Sequence, residues 1–310
     1  MILTLTPNPA IDETYSAPGV AVDASHTVVR SHSQAGGKGL NVARVLHSQK
    51  LAVHALFPAG GASGRELAAE LSAAGLDFTA VPVSGATRRS MAFVDPEADT
   101  TTIFNEAGSA VDPAEWESLA QAYQGLLEHA RAVAICGSWP PGTERETMRT
   151  LIKAAVQREI YTVVDTSGPL LLDAAACGAV LKPNHHELLA ATGAGSLAEG
   201  AADLLERGAA EIYLSAGENG LYHFTGETPL VAHAKLPRKL TGNPTGAGDS
   251  AVAALLSSSV ASLDRESTLR RAVAWSASTV LMPTAGALSP KHEALLADVT
   301  YRILPEGEDI

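Results

Sequence analysis

The chain has 310 residues, 46% hydrophobic and 18% charged, the balance of a folded globular protein and not of a disordered one. Its 22 Lys and Arg against 34 Asp and Glu give a net charge of −12, which argues against nonspecific nucleic-acid or anionic-membrane binding. An anionic substrate would therefore need a local positive patch. Two cysteines, Cys136 and Cys177, make no disulfide framework; both lie in apolar surroundings and read as buried free thiols in a reducing cytoplasm. The chain begins on the strand-like Met1-Ile2-Leu3-Thr4-Leu5 with no secretory leader pattern, and no apolar run reaches the roughly 20 residues of a membrane helix.

Short apolar strands alternate with longer helical patterns along the chain. Strands are expected at Ile2–Thr6, Ala52–Phe57, Ala132–Cys136, Tyr161–Val164, Ala179–Leu181 and Glu211–Leu214. Helices are expected at Gly39–Gln49, Gly64–Ala74, Pro113–Glu128, Arg145–Arg158, His185–Thr192, Ser196–Arg207, Ala247–Ser259 and Arg265–Met282. That alternation predicts one α/β domain over residues 1–310, a doubly wound, mostly parallel sheet with helices on both faces. Ligands of such sheets sit beyond the carboxyl ends of the strands.

Two inserts break the rhythm. Glu13–Ser33 and Asp77–Asn105 read as strands without helices, and the two together would form a small β-sheet lid that excludes water from the reaction. An exposed edge of that sheet would let two copies pair as a homodimer. The tail Pro305–Ile310 is polar and expected to fray.

The chemistry concentrates at strand ends. Asn243-Pro244-Thr245-Gly246-Ala247-Gly248-Asp249-Ser250 is a glycine-rich turn that opens a helix. Helix N-termini expose unpaired N–H groups that bind phosphate, and Asp249 in the first turn reads either as a cap or as a general base beside that phosphate. A second cluster, Gly36-Gly37-Lys38-Gly39-Leu40-Asn41, also lies between strand and helix; Lys38 and Asn41 make it a candidate sugar-contacting loop as well as a helix-entry turn. It is not a P-loop, since no Gly-Lys-Ser/Thr stands at the required spacing.

Asp12 follows the first strand, where a carboxylate reads as a turn residue or as an acceptor for two vicinal hydroxyls. In Thr87-Arg88-Arg89, guanidinium can bind phosphate bidentately, and strand geometry sends only one arginine into the site. Ser138, after the strand ending at Cys136, offers a hydroxyl to a substrate, but no Gly-x-Ser-x-Gly elbow makes it a nucleophile. Lys182-Pro183-Asn184-His185-His186-Glu187 opens another helix. Asn184 and Glu187 resemble a capping box, and both are also candidates to carry a hydrated Mg²⁺. His185 and His186 lack zinc-helix spacing and read as surface residues.

Taken together, these motifs resemble the phosphofructokinase-B (ribokinase-like) sugar kinases over about residues 1–290. Both glycine motifs are present, and Lys182-Pro183-Asn184…Glu187 and Leu214-Ser215-Ala216-Gly217-Glu218-Asn219-Gly220 stand between them in the family's order. Thr4–Asp12, Thr87-Arg88 and Gly137–Gly142 look most like the branch of 1-phosphofructokinase, tagatose-6-phosphate kinase and minor 6-phosphofructokinase. The resemblance implies an enzyme that moves a phosphoryl group from ATP to a hydroxyl of a ketohexose already carrying a phosphate: fructose 1-phosphate, fructose 6-phosphate or tagatose 6-phosphate. It assigns Asp12, Gly37, Lys38 and Asn41 to the sugar hydroxyls, and Arg88 and Ser138 to the existing phosphate. The nucleotide falls to Lys182, Asn184, Ser215, Gly217 and Thr245, and Mg²⁺ to Asn184 and Glu187. Asp249 becomes the base, with the N–H groups of Gly246, Ala247 and Gly248 at the transferred phosphoryl.

The chain departs from the branch where basic residues often precede the first glycine cluster; Ser25–Arg30 offers only His26 and Arg30. A kinase of an unphosphorylated sugar or nucleoside on the same fold is the alternative. A nicotinamide-dependent oxidoreductase is disfavoured because no Gly-x-Gly-x-x-Gly follows the first strand. The intact Asp249 speaks against a non-catalytic sugar-binding protein.

Overall fold

The computed structural model describes residues 1–21, 23–95, 97–98 and 100–305, so the tail expected to fray lies, from 306 on, outside the described residues. The chain opens with β1 (Ile2–Leu5), β2 (Ala10–Ser16) and β3 (Val29–Gly36), then α1 (Lys38–Ser48), β4 (Val53–Ala59) and α2 (Gly61–Ala73). Next come β5 (Asp77–Pro82), β6 (Arg88–Asp95), β7 (Thr100–Asn105), α3 (Pro113–Leu127), β8 (Ala132–Cys136) and α4 (Arg145–Val156). They are followed by β9 (Tyr161–Asp165), α5 (Pro169–Ala176), β10 (Val180–Leu181), α6 (His185–Thr192), α7 (Leu197–Glu206) and β11 (Glu211–Ser215). The last elements are β12 (Leu221–Thr225), β13 (Thr228–Lys235), α8 (Ala247–Val260), α9 (Arg265–Val280), α10 (His292–Asp298) and β14 (Thr300–Leu304).

A ten-stranded sheet runs in the order β14-β13-β12-β11-β10-β9-β8-β1-β4-β5. Neighbours from β5 through β11 are parallel and the remaining three pairings are antiparallel. Because strand side chains alternate, each strand feeds two cores. On β8, Ala132, Ala134 and Cys136 point into one core, with Leu40 of α1 and Leu255 of α8, while Val133 and Ile135 enter the other, with Leu119 of α3 and Leu151 of α4. The central helix α8 is buried without a break from Asp249 to Ser258, which explains its run of small residues.

A separate four-stranded sheet, in the order β3-β2-β6-β7, matches the expected small sheet. Its boundaries differ from the expectation: β2 and β3 reach out to Ala10 and Gly36, and β5 pairs in parallel with β4 and is the edge of the main sheet. The cause is local, since the short return after α2 lays Asp77 beside His54, and Val81 is buried in the main core. Asp12, read as a turn residue or a sugar ligand, lies inside β2, paired with Gln34 and Ser90, so it is no turn residue. The antiparallel strands β12, β13 and β14 and the short helices α5 and α10 did not stand out in the sequence. Among the described residues no helix is long and apolar enough to cross a membrane.

Candidate active site

A cavity of about 450 Å³ lies where the small sheet faces the carboxyl ends of the main strands. Its floor is the glycine turn at the head of α8. Gly246 is the N-cap residue, left-handed at φ 82°, and a Cβ there would press on Ala285 at 2.7 Å. The N-cap residue is a glycine and supplies no side-chain cap; Gly246 and Gly248 line the cavity, while the Ala247 N–H donates to Pro244 O at 3.2 Å. Asp249 does not act as the cap. It is 5% exposed, and its Oδ2 accepts a 2.8 Å hydrogen bond from Asn41 Nδ2. Burial, reinforced by the nearby Asp165 carboxylate, pushes Asp249 up to about 6 against the opposing pull of Lys38, Asn41 and Lys182.

Behind Asp249 stands a carboxylate between two amines. Asp165 ends β9; its Oδ1 accepts from Lys38 Nζ at 2.6 Å and its Oδ2 lies 3.6 Å from Lys182 Nζ. Burial alone would raise Asp165, but Lys38 and Lys182 outweigh it and hold the carboxyl below its ordinary value. Burial pulls Lys38 down, and Asp165, Glu187 and Asp249 together more than reverse this, so Lys38 stays charged.

The opposite wall comes from the small sheet. Asp12 sits so close to Gly36 that a Cβ there would overlap its Oδ2 at 2.0 Å. Burial raises Asp12 to about 6, with Arg88 and Arg44 opposing. Arg88 reaches the cavity and donates to the backbone oxygens of Asn8 at 3.2 Å and Glu106 at 3.1 Å. Arg89, on the other face of β6, bonds Glu13 at 2.8 Å and Glu66 of α2 at 2.9 Å, so only one of the pair enters the site, as strand alternation requires. Lys38, Lys182 and Arg88 are the cations an anionic ligand would meet, in a lining that also holds Asp12, Asp165, Glu187 and Asp249.

Asn184 and Glu187 make the reciprocal capping box of α6, each bond 2.9 Å. Glu187 Oε1 remains turned to the cavity, 3.7 Å from Lys38 Nζ. Asn184, Ser215 and Gly248 also line a second cavity of about 610 Å³ that continues from the first. Its wall includes Ala251, Val273, Ala277 and Val280, an apolar surface suited to a planar base, with Gly217 and Ala247 on its border. His185 and His186, expected on the surface, lie with ring centroids 3.9 Å apart and line this second cavity, because they open α6 beside it. Ser138 lies outside the lining of the first cavity and receives a 3.3 Å hydrogen bond from Asn8. Arg30 is held by Glu13 at 3.0 Å and His26 bonds Ala21 within its own loop at 3.0 Å, so neither supplies a cation to the cavity lining.

Residues 5–292 match the model of the pfkB family of carbohydrate kinases. The chain belongs to that family. A 1-phosphofructokinase of Rhodobacter capsulatus is 34% identical over 317 residues, covering 98% of each chain. The tetrameric inhibited form of Escherichia coli phosphofructokinase-2 superposes with a TM-score of 0.88 at 26% identity, covering 96% of this chain and 98% of the other. The same enzyme solved with fructose 6-phosphate gives a TM-score of 0.85 with the same identity and coverage. Membership of a carbohydrate kinase family implies use of ATP.

Within this pfkB chain, Gly37, Lys38, Asn41, Thr245, Gly246 and Gly248 line the first cavity together with Asp12, Arg88 and Asp249. Sequence reasoning missed three lining residues: Asp165, Ser90 and Asn105. Asp165 carried a readable signal, a carboxylate ending the buried run Thr162-Val163-Val164 at a carboxyl strand end. Ser90 and Asn105 carried none, since their meeting depends on the register of β6 with β7.

Proposed function

We propose that this chain transfers the γ-phosphoryl group of ATP to a primary hydroxyl of a ketohexose that already carries a phosphate, with fructose 1-phosphate as the first acceptor to test. The observation that carries the reading is the pairing of a buried, raised carboxylate, Asp249, at the uncapped head of α8 with Arg88 on the facing sheet of the same cavity. The 34% identity to a 1-phosphofructokinase supports the choice of sugar.

In this reading Asp12 accepts hydrogen bonds from sugar hydroxyls, with Gly37, Lys38 and Asn41 beside it. Arg88 binds the existing phosphate, and Ser138 contributes through the Asn8 link. Asp249 takes the proton of the attacking hydroxyl as its oxygen bonds to the γ-phosphorus and the bond to the β-phosphate oxygen breaks. A general base contributes about 10²–10⁴-fold. The N–H groups of Gly246 and Gly248, joined by that of Ala247 once it leaves Pro244 O, stabilise the charge that develops on the phosphoryl oxygens. Lys182, Asn184, Ser215, Gly217 and Thr245 hold the nucleotide.

Glu187 Oε1, free of the capping bond, fits Mg²⁺ held mainly by waters and phosphate oxygens, with Asn184 beside it. Such an ion needs no all-protein cage, and among the described residues no group of three His, Cys, Asp or Glu forms one. When bound, the ion offsets phosphate charge. The buried free thiols Cys136 and Cys177 suit a cytoplasmic enzyme, and the exposed Val29, Ile103 and Phe104 of the small sheet suit pairing of two copies through the lid.

A coupled assay of ADP release with fructose 1-phosphate, fructose 6-phosphate, tagatose 6-phosphate, fructose and a nucleoside tests the reading. Turnover confined to the phosphorylated ketohexoses supports it, and preference for a free sugar or nucleoside contradicts it.

A further inference from the structure

A third cavity, of about 530 Å³, lies at the opposite end of the sheet from Asp249 and shares no lining residue with the two described above. The two ends are joined by rigid elements. Strand β9 begins with Tyr161 in this cavity and ends with Asp165 in the active cleft. Helix α8 carries Asp249 at its head and Ser259 ten residues further on, roughly 15 Å of helix rise.

The cavity has a built polar wall. Glu211 Oε2 accepts from Tyr213 Oη at 2.9 Å and lies 2.7 Å from His223 Nε2. The Tyr213 and His223 rings stack at 4.3 Å, as their register on β11 and β12 requires. Facing them are Ser259 from α8, Arg265 from α9 and Glu227 from the turn between β12 and β13. Two polar atoms of this wall are buried and have no protein partner: His223 Nδ1, on a residue 4% exposed, and Thr225 Oγ1. Buried polar groups are normally satisfied, so an unpartnered imidazole nitrogen on a cavity wall marks a place for a ligand group.

The wall selects the ligand. Carboxylate, hydroxyl and imidazole groups around a ring face suit a molecule with many hydroxyls, since each hydroxyl both donates and accepts. Arg265 is the one cation of this lining and its charge acts on Glu211, and the adjacent head of α9 is already capped by the Asp264 side chain, which disfavours a phosphorylated molecule. The volume falls in the range of small-molecule sites.

We infer that this cavity is a second binding site, distinct from the active cleft, for an uncharged polyhydroxylated molecule such as a free sugar or sugar alcohol. A turn of the Thr225 side chain brings its buried Oγ1 to one hydroxyl, and others meet Tyr161, Ser259 and the free oxygen of Glu211.

Calorimetric titration with mannitol and fructose tests the inference on the intact enzyme, with glucosamine and fructose 1-phosphate as charged controls. Saturable mannitol binding is expected, unchanged in Asp12→Ala, which alters only the active cleft. Thr225→Val, a mild isosteric change, should weaken it about tenfold, and Glu211→Gln at least as much, corresponding to the loss of one or two hydrogen bonds. Circular dichroism confirms folding of each variant. No saturable heat with mannitol or fructose overturns the inference. So does binding that Asp12→Ala abolishes, binding that Thr225→Val and Glu211→Gln leave intact, or stronger binding by either charged control.

Discussion

Asn41 donates its side-chain N–H to Oδ2 of Asp249 at 2.8 Å and so ties the glycine loop at the head of α1 to the first turn of α8. The bond engages one carboxylate oxygen of a residue that lines the cavity. It also favours the charged form, against the burial that raises Asp249 to about 6. Asn41→Asp places a second carboxylate at hydrogen-bond distance. Like charges disfavour ionisation, so the acidic limb of the kcat/KM profile should move up by about one unit or more. A pH–rate profile of the variant that keeps the wild-type limb would show that this pair does not set the titration.

The wild-type profile follows from the same carboxylate. A base works deprotonated, so kcat/KM should rise with pH and level off above about 6, where Asp249 and Asp12 both titrate. Asp12→Asn leaves Asp249 in place, so the limb should persist with a raised sugar KM. Steady-state rates between about pH 5 and about pH 7, roughly one unit either side of the limb, check this.

Arg88 and Arg89 separate binding from support. Arg88→Ala should raise the KM for the phosphosugar by about 10–100-fold through loss of a charged hydrogen bond, with the KM for ATP nearly unchanged. Arg89→Ala breaks the links to Glu13 and Glu66 on the far face of β6 and should change the sugar KM far less. Equal effects of the two variants would remove Arg88 from the substrate.

Asp165 holds two amines at once. Asp165→Asn leaves the buried Lys182 and the half-buried Lys38 without their shared carboxylate. Losing one partner of a buried ion pair costs about 3–5 kcal/mol, and Lys38's exposure argues for the lower end. Urea unfolding should show that loss without a change in m-value.

Burial of a charged carboxylate also has a stability cost. Asp249 moves from 3.8 to about 6 on folding, so the folded state binds more protons between those values and stability falls as pH rises through the window. Asp249→Asn removes that cost. The variant should melt above wild type at pH near 8, and the gap should close as pH falls from about 6 to about 4. A gap that widens on acidification would reverse the assigned sign.

Much of the fold was legible because parallel strands buried on both faces read as apolar runs, as in Ala132–Cys136, and capped helices announce themselves, as in Asp112-Pro113…Glu115. The antiparallel end was not legible. His223 and His233 interrupt the apolar pattern of β12 and β13, and their burial rests on tertiary partners: stacking on Tyr213 and Tyr222 and hydrogen bonds with Glu211 and Asn219 O. In the site, residues on glycine turns and strand ends could be read locally. Ser90 and Asn105 depend on the register of β6 with β7, and the cavity-facing histidines of α6 on what packs against that helix, and that information is not local.

Turnover of purified Asp249→Asn with ATP and fructose 1-phosphate tests the central claim most directly. The Asn keeps the shape of the side chain and its acceptor for Asn41, but removes the base. A fall in kcat of about 10²–10⁴-fold, with ATP binding kept within a few-fold, is the expected result. Near wild-type turnover would contradict Asp249 as the base.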